Sequence, residues 1–258
     1  MKPERREIEV WADWDAVTSA TRVGVLSTTP TRGKEVFAFA YDPDWLAHAD
    51  RPSLDPALAL YRGPQYPSVA RDNFGAFLDS SPDRWGRVLM QRREAHRARE
   101  GGRRPRSLLE SDYLLGVFDG HRSGGLRYRL SPTGPSDEGS FLDDDAELAS
   151  PPWTSLRELE QISRALERDG VEDDPSYGRW LKMLLAPGRS LGGARPKASV
   201  RAPTGELWIA KFPGGADSHD VGAWEWVTHT LATRAGIVTA PRPLPATNAS
   251  ACAAITPS

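Results

Sequence analysis

The sequence predicts an α+β protein: a small β-rich N-terminal region, then a helical segment, then a second, shorter sheet. Three observations carry that reading. Val23-Gly24-Val25-Leu26 and the alternating run from Val36 to Tyr41 have the residue types of strands bounded by turns. Ser81, Ser107 and Ser155 stand at the head of helical stretches, where a hydroxyl can accept free backbone N–H groups. Ala198 to Ala202 and Leu207 to Phe212 read as two strands joined by the turn Pro203-Thr204-Gly205-Glu206.

Taken in order, Ile8, Val10 and Trp11 open the first strand of the β-rich region. Pro43 and Asp44 interrupt the third, and Arg62-Gly63-Pro64 marks a turn. Ser81-Pro82-Asp83 is a helix start, with Ser81 as cap and Pro82 at the first helical position, and Gly101-Gly102 stops that helix. Ser107 and Glu110 form a capping box before a short helix through Leu115. Ser155 and Glu158 form another, before a stripe of Leu156, Leu159, Ile162 and Leu166 that Gly170 ends. A further helix runs from about Ser176 to Leu185, with Tyr177, Trp180, Leu181 and Leu184 inward. The boundaries that follow are a region 1–130, an acidic and proline-rich linker 131–152, a segment 153–237, and a low-complexity tail 238–258 without a strand.

The chain has 258 residues, 39% apolar and 26% charged, which suffices for a packed core. A net charge of −2 points by itself neither to nucleic acid nor to a membrane, but the charge is unevenly placed. Nine arginines lie between Arg84 and Arg106, and six acids with no base between Asp137 and Glu147. The arginine run reads first as a solvated helix face and second as a phosphate-binding face. Cys252 is the lone cysteine, so one chain holds neither a disulfide framework nor a multi-cysteine metal site. The first ten residues are charged, and no run approaches the ~20 apolar residues of a membrane span. A cytoplasmic protein is expected.

Residues 188–236 carry the chemistry. Gly192-Gly193 lets a backbone approach a phosphate, although the spacing is neither a Walker loop nor a dinucleotide fingerprint. Lys211 stands on an otherwise apolar strand, where a charge is costly unless paired. Asp220 caps a helix that Gly236 ends, with Val221, Trp224, Val227 and Leu231 as its apolar stripe and Glu225 at the edge. Glycine-rich loop, strand, turn, lysine strand and glutamate helix follow one another in the order of a protein-kinase N-lobe. Lys211 and Glu225 are therefore expected within salt-bridge reach, toward Gly192 and Gly193. The competing reading has Lys211 snorkelling from an edge strand and Glu225 solvated.

Asn73-Phe74-Gly75, Ser81 to Arg87, Asp112 to Gly116, Arg122 and Leu126-Arg127-Tyr128 form one set of motifs. Leu191 to Lys197, Trp208 to Pro213, Trp224-Glu225 and Ala235-Gly236-Ile237 form a second. Through them the chain resembles the N-terminal part of HipA-family serine/threonine kinase toxins over about residues 7–237. The resemblance implies an incomplete protein-kinase-like fold and ATP- and Mg²⁺-dependent phosphorylation of a protein substrate, with growth arrest as the outcome. A HipB-like helix-turn-helix antitoxin would neutralise the toxin and link it to operator DNA, with no membrane involved. Gly192, Gly193, Ala194, Arg195, Lys197, Lys211 and Glu225 would bind nucleotide, and Ser190 would be the autophosphorylation site. No catalytic aspartate or Mg²⁺-binding aspartate of the kinase pattern follows Lys211. The expectation is a truncated toxin, inactive alone. A non-catalytic module that engages the antitoxin, and an unrelated protein using Arg84 to Arg106 on nucleic acid, are the alternatives.

Overall fold

The computed structural model describes residues 5–14, 19–31, 33–48, 51–119, 122, 124–131, 141, 151–185, 195–205, 207–239 and 254–257. In chain order the elements are β1 (Arg6–Ala12), β2 (Thr21–Thr31), β3 (Lys34–Tyr41), α1 (Pro43–Ala47), α2 (Gly75–Asp79), α3 (Arg84–Glu100), α4 (Glu110–Leu115) and β4 (Leu126–Leu130). They continue with α5 (Leu156–Ala165), α6 (Tyr177–Leu185), β5 (Lys197–Arg201), β6 (Leu207–Lys211), α7 (Val221–Arg234) and β7 (Ala254–Pro257). The fold is mixed α+β and divides into two compact units. Met1–Pro82 and Arg106–Asp145 belong to the first, and Asp83–Pro105, Ala146–Gly188 and Gly192–Ser258 to the second. The arginine-rich helix α3 thus packs with the second unit, whereas a linear boundary near residue 130 places it with the first.

In the first unit β1, β2 and β3 form a meander, and β4 joins the free side of β1, giving the antiparallel order β3-β2-β1-β4. Side chains alternate between faces along a strand, so Ile8, Val10, Leu26, Phe37, Phe39 and Tyr128 collect on one side and are all buried. Trp45 of α1, Phe77 of α2 and Leu114 of α4 close over them. Gly24 is needed for this packing: a Cβ there would lie 2.3 Å from the Ala40 carbonyl oxygen.

Buried polar groups fix the loops around that core. Asp55 accepts from the N–H groups of Ala57 at 2.8 Å and Ala76 at 2.9 Å, tying a loop to the start of α2. Arg122 is buried and donates to the carbonyls of Leu114 at 2.8 Å and Val117 at 3.1 Å, with its guanidinium 4.7 Å from the centre of the Tyr128 ring. Burial pushes the Tyr128 phenol up to about 12.

Helix starts differ from the sequence expectation in three places. Asp83, not Ser81, caps α3, accepting from the Gly86 N–H at 2.8 Å, while the Ser81 hydroxyl donates to the Phe77 carbonyl at 2.9 Å. The box expected at Ser107 and Glu110 moves along the chain: Asp112 accepts from the Leu109 N–H at 2.9 Å and α4 begins at Glu110. The reason is charge, since Asp112 is also held by Arg6 and Arg106, each at 2.9 Å. At the third start Ser155 precedes α5 but makes no side-chain cap bond, so the box expected with Glu158 is not formed.

Burial alone would raise the Asp112 carboxyl, but the Leu109 N–H, Arg6 and Arg106 outweigh it and hold Asp112 below the usual carboxylate range. Because folding lowers this value, the stabilisation is present above the unfolded-chain value of about 3.9. It disappears as pH falls through the depressed folded value. Asp112→Asn, which keeps an acceptor for Leu109, is expected to flatten the acid limb of a stability-versus-pH curve. An unchanged acid limb in urea titrations between about pH 2 and 5 would contradict this.

In the second unit α3 packs on α6. Several of the clustered arginines are internal ties. Arg92 donates to the Leu166 carbonyl at 2.6 Å, Arg99 pairs with Asp173 at 2.8 Å, and Arg103 pairs with Glu94. Leu159, Ile162 and Leu166 are buried as the α5 stripe requires, and Gly170 takes a left-handed φ of 72°. Tyr177, Leu181 and Leu184 of α6 are buried too, with Trp180 half-buried.

The second sheet runs β5-β6-β7, antiparallel throughout. Its last strand corrects the expectation of a tail without a strand: Ala254–Pro257 pairs with β6, Ile255 opposite Ala210. After β6 pairs with β5, its other edge still offers a row of backbone donors and acceptors, and a short segment of any origin with β-forming residues can take it. The rest of the expected tail, beyond residue 239, lies outside the described residues. Among the described residues no helix is long and apolar enough to cross a membrane.

Candidate functional site

The site is built where β6 ends and α7 begins. β6 buries Ile209 and Ala210 and brings Lys211 to its last position. The Asp220 carboxylate accepts from the Ala223 N–H at 2.9 Å and so starts α7 where the sequence predicts. One turn on, Glu225 faces back toward the strand. The Lys211 Nζ donates to its two carboxylate oxygens at 3.1 and 3.2 Å. Their side chains are 40% and 32% exposed, so the pair adds only about 0–1 kcal/mol to stability. What it does is hold the ammonium in place.

Around this pair lies a cavity of about 270 Å³. Arg164, Arg195, Lys211, Asp217, His219 and Glu225 line it, with backbone from the loop that joins β6 to α7. That loop is pinned by carboxylates. Asp217 accepts from the Gly214 N–H at 2.8 Å, and Glu167 accepts from the Gly215 N–H at 2.6 Å. Asp217 also holds the Nη2 of Arg195. Among the described residues the buried Nε of Arg195 has no hydrogen-bond partner. Arg164 pairs with Glu160 at 2.7 Å on its own helix. Three cations thus border one cavity, and each carboxylate in it is engaged: Asp217 by Arg195, Asp220 by its helix, Glu225 by Lys211.

The residues expected to bind nucleotide separate into three groups. Arg195, Lys211 and Glu225 meet at the cavity. Lys197 does not line it. It lies opposite Lys211 across the β5–β6 pair, but its side chain is 9% exposed and ends on Asp83, the cap of α3, itself 4% exposed. Gly192, Gly193 and Ala194, with Ser190, lie outside the described residues.

The α7 stripe is also placed differently from a buried face. Trp224, Val227 and Leu231 are 63%, 43% and 59% exposed, and no α7 residue is buried. Three cavity residues escaped the sequence reading as site residues: Arg164, Asp217 and His219. Asp217 had a usable signal, because Gly214-Gly215-Ala216-Asp217 has the composition of a turn closed by an aspartate side chain. For Arg164 nothing in the sequence links α5 to β6.

Comparison with known proteins adds one family. No curated protein matches the chain. Residues 189–255, the segment that carries Arg195, Lys211 and Glu225, match the family model described as a HipA-like C-terminal domain, which supports a place in the HipA family.

Proposed function

We propose that the second unit binds the phosphate groups of ATP as the kinase-like N-lobe of a HipA-type serine/threonine kinase toxin. The observation that carries this is the Lys211–Glu225 ion pair on the wall of a cavity that Arg195 also enters. In this reading Lys211 contacts the phosphate chain, Glu225 fixes the ammonium against it, and Arg195 offers its guanidinium to a phosphate oxygen. The Nε of Arg195, buried and without a hydrogen-bond partner among the described residues, fits such an acceptor. At about 270 Å³ the cavity is just below the size of small-ligand pockets, about 300–1,000 Å³, so it suits the phosphate end of a nucleotide and not the whole of one.

For Mg²⁺, no three acids, histidines or cysteines converge as a cation site among the described residues. The toxin role, the helix-turn-helix antitoxin with its operator DNA, the protein substrate and autophosphorylation at Ser190 belong to the same proposal and rest on the family likeness.

The engaged carboxylates favour binding over transfer. Phosphoryl transfer needs a group that orients the attacking hydroxyl, and Asp217, Asp220 and Glu225 are each committed elsewhere. The 258-residue chain is therefore expected to bind ATP and to transfer no phosphoryl group, acting as a binding module. Calorimetry with ATP, followed by incubation with radiolabelled ATP and a generic protein substrate, tests both halves. Absence of ATP binding would overturn the reading. Label at Ser190 that vanishes in Lys211→Met would overturn the binding-only part.

A further inference from the structure

The ion pair between Arg195 and Asp217 occupies the side of the guanidinium that a phosphate needs. A phosphate oxygen pair engages arginine best through two parallel N–H groups. Nε and Nη2 are such a pair, lying on one edge of the group. In this structure Asp217 takes Nη2, while the buried Nε has no hydrogen-bond partner among the described residues. Asp217 therefore blocks half of a fork and leaves the other half unsatisfied.

The rest of the loop makes this contact well defined. Asp217 is not a free surface acid, because it also accepts from the Gly214 N–H at 2.8 Å. Glu167, on the chain just after α5, holds the next residue, Gly215, at 2.6 Å. The acid is thereby presented to Arg195 from a pinned turn, with both side chains partly exposed, at 29% and 26%. An incoming anion can reach the pair, and burial does not lock it.

We infer that Asp217 is a built-in brake on the phosphate subsite, competing with the bound anion for the Nη2 edge of Arg195. This rests on the nucleotide-binding reading above. Binding would exchange one charge-assisted bond, Arg195 to Asp217, for two, Arg195 to phosphate through Nε and Nη2. The displaced carboxylate keeps its bond from Gly214, so the loop need not unfold to release the arginine.

The test is calorimetric titration of the 258-residue chain with ATP and, separately, with inorganic tripolyphosphate. Asp217→Asn keeps an oxygen for Gly214 and removes the charge that holds Arg195. It is expected to bind both probes more tightly by on the order of tenfold, the scale of one charge-assisted hydrogen bond. Asp220→Asn removes an equal charge from the same cavity and keeps a good helix cap. It is expected to gain less, because Asp220 does not hold the arginine.

Arg195→Gln supplies the decisive comparison. It is expected to cost little affinity when Asp217 is present and most of the gain when Asp217 is Asn. Asp217→Ser, which also leaves an acceptor for Gly214, should reproduce the gain should the asparagine variant fold poorly. Equal gains from the Asp217 and Asp220 variants would reduce the effect to general electrostatics and overturn the brake. So would an Arg195→Gln loss of the same factor in both backgrounds. Binding by the unaltered chain with either of those results leaves the nucleotide reading standing. No binding of either probe by any variant overturns both.

Discussion

Replacing Lys197 by methionine is expected to destabilise the second unit by about 3–5 kcal/mol, the cost of breaking a buried ion pair from one side. The lysine is 9% exposed and its partner Asp83 is 4% exposed. Without the ammonium, Asp83 keeps a buried charge whose remaining bond is the N–H of Gly86, at 2.8 Å. That charge caps α3, and α3 is the helix on which α6 packs. The penalty should therefore reach both helices. Lys197→Met combined with Asp83→Asn should recover much of the loss, because asparagine still caps the helix and no lone charge remains. Urea unfolding of the three variants checks this. A Lys197→Met chain with unchanged stability but without ATP binding would return the lysine to the nucleotide site that its sequence context suggests.

That lysine shows where sequence reasoning stops. Lys197 and Lys211 both follow the glycine-rich run, and they face each other across one strand pair. What separates their roles is a contact across 114 residues, from β5 to the cap of α3, which no local pattern encodes. The pairing of Lys211 with Glu225 was more legible, because only 14 residues separate them and a capped helix start fixes the phase between strand and helix. The first sheet was legible for a similar reason: alternation in Val36 to Tyr41 matches a face buried at Phe37, Phe39 and Tyr41.

Charge competition explains most of the remaining differences. Ser107 and Glu110 satisfy the pattern of a capping box, yet Asp112 wins the role because two arginines draw its carboxylate to the helix start. The arginine run of α3 reads as one face, but its members separate toward a carbonyl, an aspartate and a glutamate once α5 and α6 are in place. This use of the run weakens the nucleic-acid alternative, since Arg92, Arg99 and Arg103 are committed within the unit. For β7 the reason is different. Strand pairing is read by the backbone, and composition is a weak guide to which short segment takes an open edge.

Lys211→Met is expected to lower affinity for ATP by at least roughly tenfold, because it removes one of the cations that the cavity presents to phosphate and takes the ammonium away from the Glu225 carboxylate beside it. Methionine fills a similar volume, and the lost pair contributes only about 0–1 kcal/mol, so the melting temperature should scarcely move. Glu225→Gln is expected to weaken binding less, since it loosens the ammonium without removing it. In the unaltered chain, affinity should fall as salt is raised, because the exposed part of the site is screened within a Debye length of about 8–10 Å. Lys211→Met should flatten that dependence as well as lower the affinity. Titrations at two salt concentrations, paired with a thermal melt, separate these effects. Equal ATP affinity in Lys211→Met and the unaltered chain, at matched stability, would remove the cavity from consideration as a phosphate site.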